Sequence, residues 1–211
     1  MDQYTCPEHR RSALVTIDVQ RDTLDGQPFE IRGTATAVPR IAQAIQFFRE
    51  TSRPIVHVVR LYRPDGTNVD LCRRAIVEQG AQVVIAGSAG SQLAAPLLPT
   101  PNVTLDVDLL LSGRMQPLGA QEWIMYKPRW GAFFGTSLEE HLRSLGVSTL
   151  VFAGCNFPNC PRTSIYEASE RDFRIVVLDD VLSGLYPQAL TELQNIGVWV
   201  VGTKSYLREA A

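Results

Sequence analysis

Short apolar runs alternate with longer segments of mixed polarity along the chain. Six runs have the length and the apolar, partly β-branched composition of strands buried on both faces of a sheet. They lie at 11–21, 55–62, 122–127, 149–153, 173–178 and 198–201. The segments between them predict helices at 34–51, 69–79, 136–145, 162–172 and 187–195. This alternation predicts a doubly wound α/β fold with a parallel sheet and right-handed crossovers.

Local signals refine several of these elements. Thr136 and Glu139 have the spacing of a capping box, and Leu138, Leu142 and Leu145 are expected to face the core. We expect the pair Asp179 and Asp180 to lie in a loop. The segment 103–111 is predicted to be an irregular strand or an extended cover. Because long connections in compact domains are usually functional, residues 68–122 are interpreted as a cap or wall over the site.

Composition narrows the class of partner. Lys and Arg number 20 against 22 Asp and Glu, without a long basic run, so we expect a small-molecule substrate and neither nucleic acid nor membrane. No apolar stretch reaches the roughly 20 residues of a membrane span, which favours a cytoplasmic protein. The length fits one domain over residues 1–211. No glycine pattern of a phosphate-binding loop occurs, so no nucleotide cofactor is expected.

Reactive side chains stand at the ends of three predicted strands. Asp18 ends the first, Lys127 ends the third, and Cys160 follows the fourth at the start of a helix whose first residue is predicted to be Pro161. The carboxyl ends of parallel strands form the ligand crevice of such sheets. A helix N-terminus favours thiolate over thiol, so Cys160 is a candidate nucleophile. Each residue also has a purely structural alternative: a turn cap, a solvated charge and a packing residue, respectively.

Three segments carry a family resemblance: L-V-T-I-D-V-Q, Y-K-P-R-W-G-A-F-F-G-T-S-L-E-E-H-L, and G-V-S-T-L-V-F-A-G-C-N-F-P-N-C-P-R-T-S-I-Y-E-A. They resemble the isochorismatase-like cysteine hydrolases, which include nicotinamidases and N-carbamoylsarcosine amidase. The resemblance implies a three-layer, six-stranded parallel sheet in the order 3-2-1-4-5-6 and a homo-oligomer, dimer or tetramer. It implies catalytic roles for Asp18, Lys127 and Cys160. It further implies a cis peptide between Cys155 and Asn156, with the Asn156 and Cys160 amides forming an oxyanion hole.

These expectations define a reaction hypothesis. We expect a cysteine-dependent amidohydrolase that cleaves a small polar or anionic amide or N-carbamoyl compound through a thioester. The metal-binding segment of some relatives does not carry over, because V-R-L-Y-R-P-D-G stands in its place and His57 lies inside a strand. No metal and no other cofactor are therefore expected. The expected substrate-binding residues are Arg63, Arg129, Trp130, Phe133 and Phe157, chosen from an arginine-rich neighbourhood that also contains Arg60, Arg73, Arg74 and Arg162.

Two alternative functions stay open at this point. One is vinyl-ether hydrolysis of the isochorismatase type, which needs the acid but no thiol. The presence of Cys160 disfavours that reaction. The other is a catalytically silent small-molecule binding protein with the same fold, which the intact set of acid, cation and thiol disfavours.

Overall fold

The computed structural model describes residues 2–27 and 29–211. Over these residues the strands are β1 (Ser12–Ile17), β2 (Ile55–Val59), β3 (Gln116–Gly119), β4 (Glu122–Tyr126), β5 (Thr149–Gly154), β6 (Arg174–Leu182) and β7 (Trp199–Val201). The helices are α1 (Thr34–Glu50), α2 (Leu71–Glu78), α3 (Val107–Leu111), α4 (Leu138–Ser144), α5 (Cys160–Ser169), α6 (Pro187–Asn195) and α7 (Thr203–Ala210). None of the helices in these ranges is long and apolar enough to cross a bilayer.

The strands form one sheet in the order β3-β4-β2-β1-β5-β6-β7. Every pairing is parallel except that of β3 with β4. Numbered by themselves, the six parallel strands run 3-2-1-4-5-6, which confirms the expected order. The additional strand β3 is short, contains Pro117 and has an irregular register, as is usual for an edge strand.

Helices cover both faces of this sheet. On one face, α1 and α7 bury Ile41, Phe48 and Tyr206 against the central strands. On the other face, α4, α5 and α6 bury Leu142, Ile165 and other apolar side chains in a second cluster. Strands β1, β2 and β5 are buried along their whole length because they lie between the two helical layers. The three-layer prediction is confirmed, and the apolar runs correspond to doubly covered strands.

Two predicted connections are regular structure instead. Within 103–111, residues Val107–Leu111 form helix α3, because Asp106 caps it by accepting a 3.0 Å hydrogen bond from the Leu109 amide. The expectation of a strand or extended cover there was wrong. Asp179 and Asp180 belong to β6, which continues to Leu182, so the expected loop was also wrong.

The expected capping box does not form. Helix α4 begins at Leu138, and Ser137 makes no side-chain cap. Thr136 Oγ1 instead donates to the Ala132 carbonyl at 2.6 Å, and Glu139 accepts from Arg171 Nε at 3.0 Å. Leu145 lies past the last helical residue and is exposed, because it has left the apolar face that buries Leu138.

A buried polar network joins three neighbouring strands of the sheet, β1, β2 and β4. His57 is fully buried, with Nδ1 2.8 Å from Thr16 Oγ1 and Nε2 2.9 Å from Glu122 Oε1. Arg49 binds both oxygens of Glu122, at 2.8 and 2.6 Å. Burial alone would raise the pKa of Glu122, but hydrogen bonds from Arg49 and His57 outweigh it and lower the pKa to about 2. Glu122 therefore stabilises the fold as a carboxylate.

Glu122→Gln is expected to reduce the free energy of unfolding by roughly 3 kcal/mol at pH 7. The folded pKa lies below the unfolded one, so this stabilisation is complete above the ordinary carboxyl range. It is lost as the pH falls toward 2, and the penalty should be about half or less at pH 3. Urea unfolding at both pH values measures it, with the exposed Glu50→Gln as the control. An equal penalty at the two pH values would contradict this assignment.

Candidate active site

The structure brings Asp18, Lys127 and Cys160 to the wall of one cavity of about 280 Å³. Asp18 follows β1, Lys127 follows β4, and Cys160 begins α5, which follows β5. All three elements reach the same edge of the sheet because β1, β4 and β5 run parallel. Lys127 Nζ lies 2.9 Å from Asp18 Oδ2. The cavity volume suits a substrate of metabolite size.

The backbone of Asp18 is held in a left-handed conformation with φ of 53°. Its amide donates to the Val58 carbonyl at 2.9 Å, and its carbonyl accepts from Cys155 Sγ at 3.0 Å and Thr23 Oγ1 at 3.1 Å. A non-glycine residue keeps such a conformation only where its surroundings determine it. The Cys155 thiol, whose pKa burial raises to about 12, is a neutral donor that helps to hold the Asp18 backbone in this conformation.

Lys127 is fully buried. Its amide donates to the Val59 carbonyl at 3.0 Å, and its Nζ donates to the Arg129 carbonyl at 3.3 Å in addition to the Asp18 contact. The Lys127 carbonyl accepts from Arg60 Nη1 at 3.2 Å. A buried ammonium requires such an anionic partner, so the Lys127 charge and the Asp18 charge stabilise each other.

Cys160 is the first residue of α5, one position earlier than predicted, with Pro161 next to it. Burial and the Asp18 carboxylate raise the pKa of the Cys160 thiol, the Lys127 charge lowers it in part, and the net result is a pKa of about 12. The expectation that the helix end favours thiolate is therefore wrong. At neutral pH the thiol therefore retains its proton.

Two backbone amides flank the thiol. The peptide bond between Cys155 and Asn156 is cis, as the resemblance implied. Among the described residues, neither the Asn156 amide nor the Cys160 amide donates to another group of the chain. Strand β5 approaches β1 closely here: a Cβ on Gly154 would lie 2.2 Å from the Ile17 carbonyl oxygen, at φ of +128°. Only glycine fits at this position, which brings β5 and the following turn up to Asp18.

Helix α2 and the end of β2 supply a second, charged wall of the cavity. Arg60, Tyr62, Asp70 and Arg73 all line it. Asp70 Oδ2 accepts from Arg60 Nη2 and, at 2.9 Å, from the Tyr62 hydroxyl. Gln20, fully buried, joins this wall to β1 because its side chain accepts from the Arg60 amide and donates to the Arg60 carbonyl, both at 2.8 Å. The segment 68–122 therefore contributes directly to the cavity.

The residues expected to bind substrate lie in different places. Trp130 lines the cavity. Phe133 and Phe157 are buried in the core instead, Phe133 against Phe173 and Phe157 edge-on to Tyr186 at 5.7 Å. The prediction that these two phenylalanines form cavity walls was wrong, because their rings fill the space beneath α5 and α6.

The two arginines expected to bind substrate, Arg63 and Arg129, do not line the cavity. Arg63 is exposed in the turn after β2 and does not line the cavity. Arg129 is half-exposed in a neighbouring surface groove, with Nε 3.9 Å from Asp70 Oδ1. Arg60 and Arg73 line the cavity in their place. Asp70, which sequence reasoning missed, is recognisable only as the polar residue that immediately precedes a helix.

The residues present do not fit a metal centre. His57 is engaged inside the sheet by Thr16 and Glu122. Over residues 2–27 and 29–211, no three His, Cys, Asp or Glu side chains come together in a group that could hold a metal ion. At the carboxyl end of β2, the positions facing the cavity carry Arg60 and Tyr62, whose cationic and phenolic groups do not form a divalent-metal site.

The cavity lies at the carboxyl ends of a doubly wound α/β sheet and brings together an acid, a cation and a thiol, the arrangement of an α/β enzyme with a candidate thiol nucleophile. The chain belongs to the isochorismatase family, since the Isochorismatase domain model matches residues 12–205. A probable inactive nicotinamidase from Arabidopsis thaliana is 28% identical over 196 residues, covering 90% of this chain and 91% of that protein. Maleamate amidohydrolase from Pseudomonas putida is 29% identical over 170 residues, covering 80% and 70%.

The fold is also similar to that of solved structures. The crystal structure of an isochorismatase family protein from Desulfovibrio vulgaris superimposes with a TM-score of 0.79 at 29% identity, over 95% of this chain and 97% of the other. These similarities support the general hydrolase class, in which amidohydrolases that act on C–N bonds other than peptide bonds recur.

Proposed function

We propose that this protein is a cysteine-dependent amidohydrolase that cleaves a small anionic amide or N-carbamoyl compound through a thioester intermediate and releases ammonia or an amine. The observation that carries the proposal is the buried Asp18–Lys127 pair, 2.9 Å apart, on the wall of the same cavity as the Cys160 thiol. An acid–base carboxylate, a fixed cation and a nucleophile are the groups that acyl transfer requires.

In the proposed first half-reaction, Cys160 Sγ attacks the carbonyl carbon while its proton passes to Asp18. The raised pKa of the thiol fits this concerted transfer, because a resting thiolate is not available. The free amides of Asn156 and Cys160 stabilise the oxyanion. Collapse breaks the C–N bond, and Asp18 delivers the proton to the leaving nitrogen.

In the second half-reaction, water attacks the thioester. Asp18 takes a proton from the water and returns it to sulfur, which regenerates the thiol and releases the acid. Lys127 keeps the Asp18 carboxylate paired through both steps. Its positive charge also favours sulfur anion character in the transition state, since it lowers the pKa of Cys160 against the effects of burial and Asp18.

The position of Arg73 supports the proposal that the substrate is anionic. Among the described residues of the cavity, Lys127 is paired with Asp18 and Arg60 with Asp70, while the half-buried Arg73 side chain forms no ion pair. A free guanidinium in a small cavity suits a carboxylate, which it binds through a planar fork. Maleamate, the compound in the name of one relative, combines such a carboxylate with an amide.

Arg73→Gln is expected to raise KM for succinamate roughly 10-fold or more while kcat changes little, because a charge-assisted hydrogen bond to the substrate carboxylate is lost. Propionamide, which has no carboxylate, should be affected much less. An ammonia-release assay measures both. Arg74→Gln is the matched control, since Arg74 is exposed on the same helix and does not line the cavity. An equal change in KM for succinamate and propionamide would show that Arg73 does not recognise the carboxylate.

A further inference from the structure

One carboxylate oxygen of the second cavity wall accepts no hydrogen bond from the described residues. Asp70 is 5% exposed, and its Oδ2 is saturated by Arg60 and Tyr62. Its Oδ1 is buried and, among the described residues, accepts no hydrogen bond. Arg129 Nε, 3.9 Å away, is beyond hydrogen-bond distance. A buried carboxylate oxygen without a donor is uncommon in folded proteins and calls for an explanation.

The helix that follows Asp70 does not provide this explanation. Asp70 stands at the N-cap position of α2, where an aspartate usually accepts from the amides of the first turn. Its side chain makes no such bond and is directed toward the cavity wall. Burial would raise the pKa of Asp70, but the hydrogen bond and charge of Arg60, with the Tyr62 hydroxyl, hold it below its ordinary value. Asp70 is therefore an ionised acceptor at neutral pH.

Asp18 Oδ1 is the other buried carboxylate oxygen among the described cavity residues that accepts no hydrogen bond, and the proposed mechanism uses it to receive the Cys160 proton. Asp70 Oδ1 has no such role in the acyl transfer. Asp70 lines the cavity, and the Arg129 side chain beside Oδ1 is half-exposed. A ligand that fills the cavity can then offer this oxygen a donor.

We infer that Asp70 Oδ1 accepts an N–H group on the acyl side of the substrate and so selects N-carbamoyl compounds over simple amides. This inference rests on the proposed function. In an N-carbamoyl acid, the carbonyl attacked by Cys160 carries a leaving NH₂ and a second N–H that joins it to the rest of the molecule. A simple amide has CH₂ at that position and leaves Asp70 Oδ1 without a donor. Burying an unpaired polar group penalises the analogue that lacks the donor.

Hydrolysis of an N-carbamoyl compound by this route requires water as the only co-substrate. Cys160 Sγ bonds to the carbamoyl carbon, the C–NH₂ bond breaks, and ammonia leaves with the thiol proton. Hydrolysis of the enzyme thiocarbamate restores the thiol and releases a carbamate. The carbamate decomposes to carbon dioxide and the amine of the original acid.

A matched substrate pair tests the inference. N-carbamoylglycine and succinamate differ only in N–H against CH₂, and the wild-type enzyme is expected to have a kcat/KM roughly 10-fold or more higher for the first. In Asp70→Asn, whose amide can present a donor in place of the oxygen, this ratio should fall toward one. The ratio is independent of the amount of folded enzyme, because both substrates are measured on one preparation.

Two further variants keep the test sharp. Asp70→Glu retains the charge beside Arg60 but moves the oxygen, and it should also lower the ratio. Asp65→Asn makes the same chemical change in the exposed turn before α2 and should leave the ratio unchanged. A wild-type ratio near one, or a high ratio that survives both Asp70 variants, overturns this inference and leaves the proposed function intact. Hydrolysis of neither compound, nor of longer amide and ureido acids, overturns the proposed function itself.

Discussion

Cys160→Ala is expected to lower kcat/KM for any substrate of this protein by about 10,000-fold or more, to the background rate of ammonia release. The reason is geometric, because the Asp18 carboxylate and the two free amides converge on the position of this thiol. Among the cysteines, Cys6 and Cys72 are exposed, and Cys155 is committed to the Asp18 carbonyl. No other thiol in the described chain is placed to take over the attack.

Two measurements make the Cys160 prediction specific. Rapid-quench mass spectrometry of the wild type during turnover should reveal a covalent adduct with the mass of the acyl group, and the Cys160→Ala protein should lack it. Cys6→Ala, remote from the cavity, is the control and should retain wild-type activity. Ammonia release that survives Cys160→Ala would refute the thioester route. A wild-type protein that binds but never turns over the amide panel would favour the silent binding protein.

The candidate catalytic residues could be predicted from the sequence because the ends of the apolar runs mark the ends of the strands. Asp18 and Lys127 interrupt apolar runs at their carboxyl ends, and parallel strands bring such ends to one edge. The same reasoning correctly identified the six parallel strands, since strands covered on both faces are continuously apolar. The order of those strands, in contrast, came from the family resemblance and not from the pattern.

The substrate wall was not accessible in this way. Whether Arg63 or Arg73 faces the cavity depends on how α2 packs after a turn, and no periodicity reports that packing. Phe133 and Phe157 lie near the candidate catalytic residues in the sequence, but their rings pack in the core. The thiol pKa was missed for a related reason, because the helix end is visible in the sequence whereas the extent of burial around Cys160 is a tertiary property.

Lys127→Met is expected to be the most destabilising of the site substitutions, with a loss of about 3–5 kcal/mol in the free energy of unfolding. The Asp18 carboxylate is 8% exposed, and its Oδ1 already lacks a hydrogen-bond partner in the described chain. Removal of the ammonium 2.9 Å from Oδ2 would leave the whole carboxylate without a counter-charge in the interior. Breaking a buried pair costs more than the pair contributes, because the remaining charge stays desolvated.

The double variant Asp18→Asn with Lys127→Met distinguishes this electrostatic cost from lost packing. The double variant should recover about 2 kcal/mol or more of the free energy of unfolding relative to Lys127→Met alone, because no unpaired buried charge remains. It should stay catalytically inactive. Urea unfolding followed by circular dichroism measures each variant. Arg40→Met, which removes a partly exposed partner of Asp180 at 3.5 Å, is the control and should cost less than about 1 kcal/mol. If the double variant is no more stable than Lys127→Met, the loss arises from packing, and the buried pair does not account for the stability of the site.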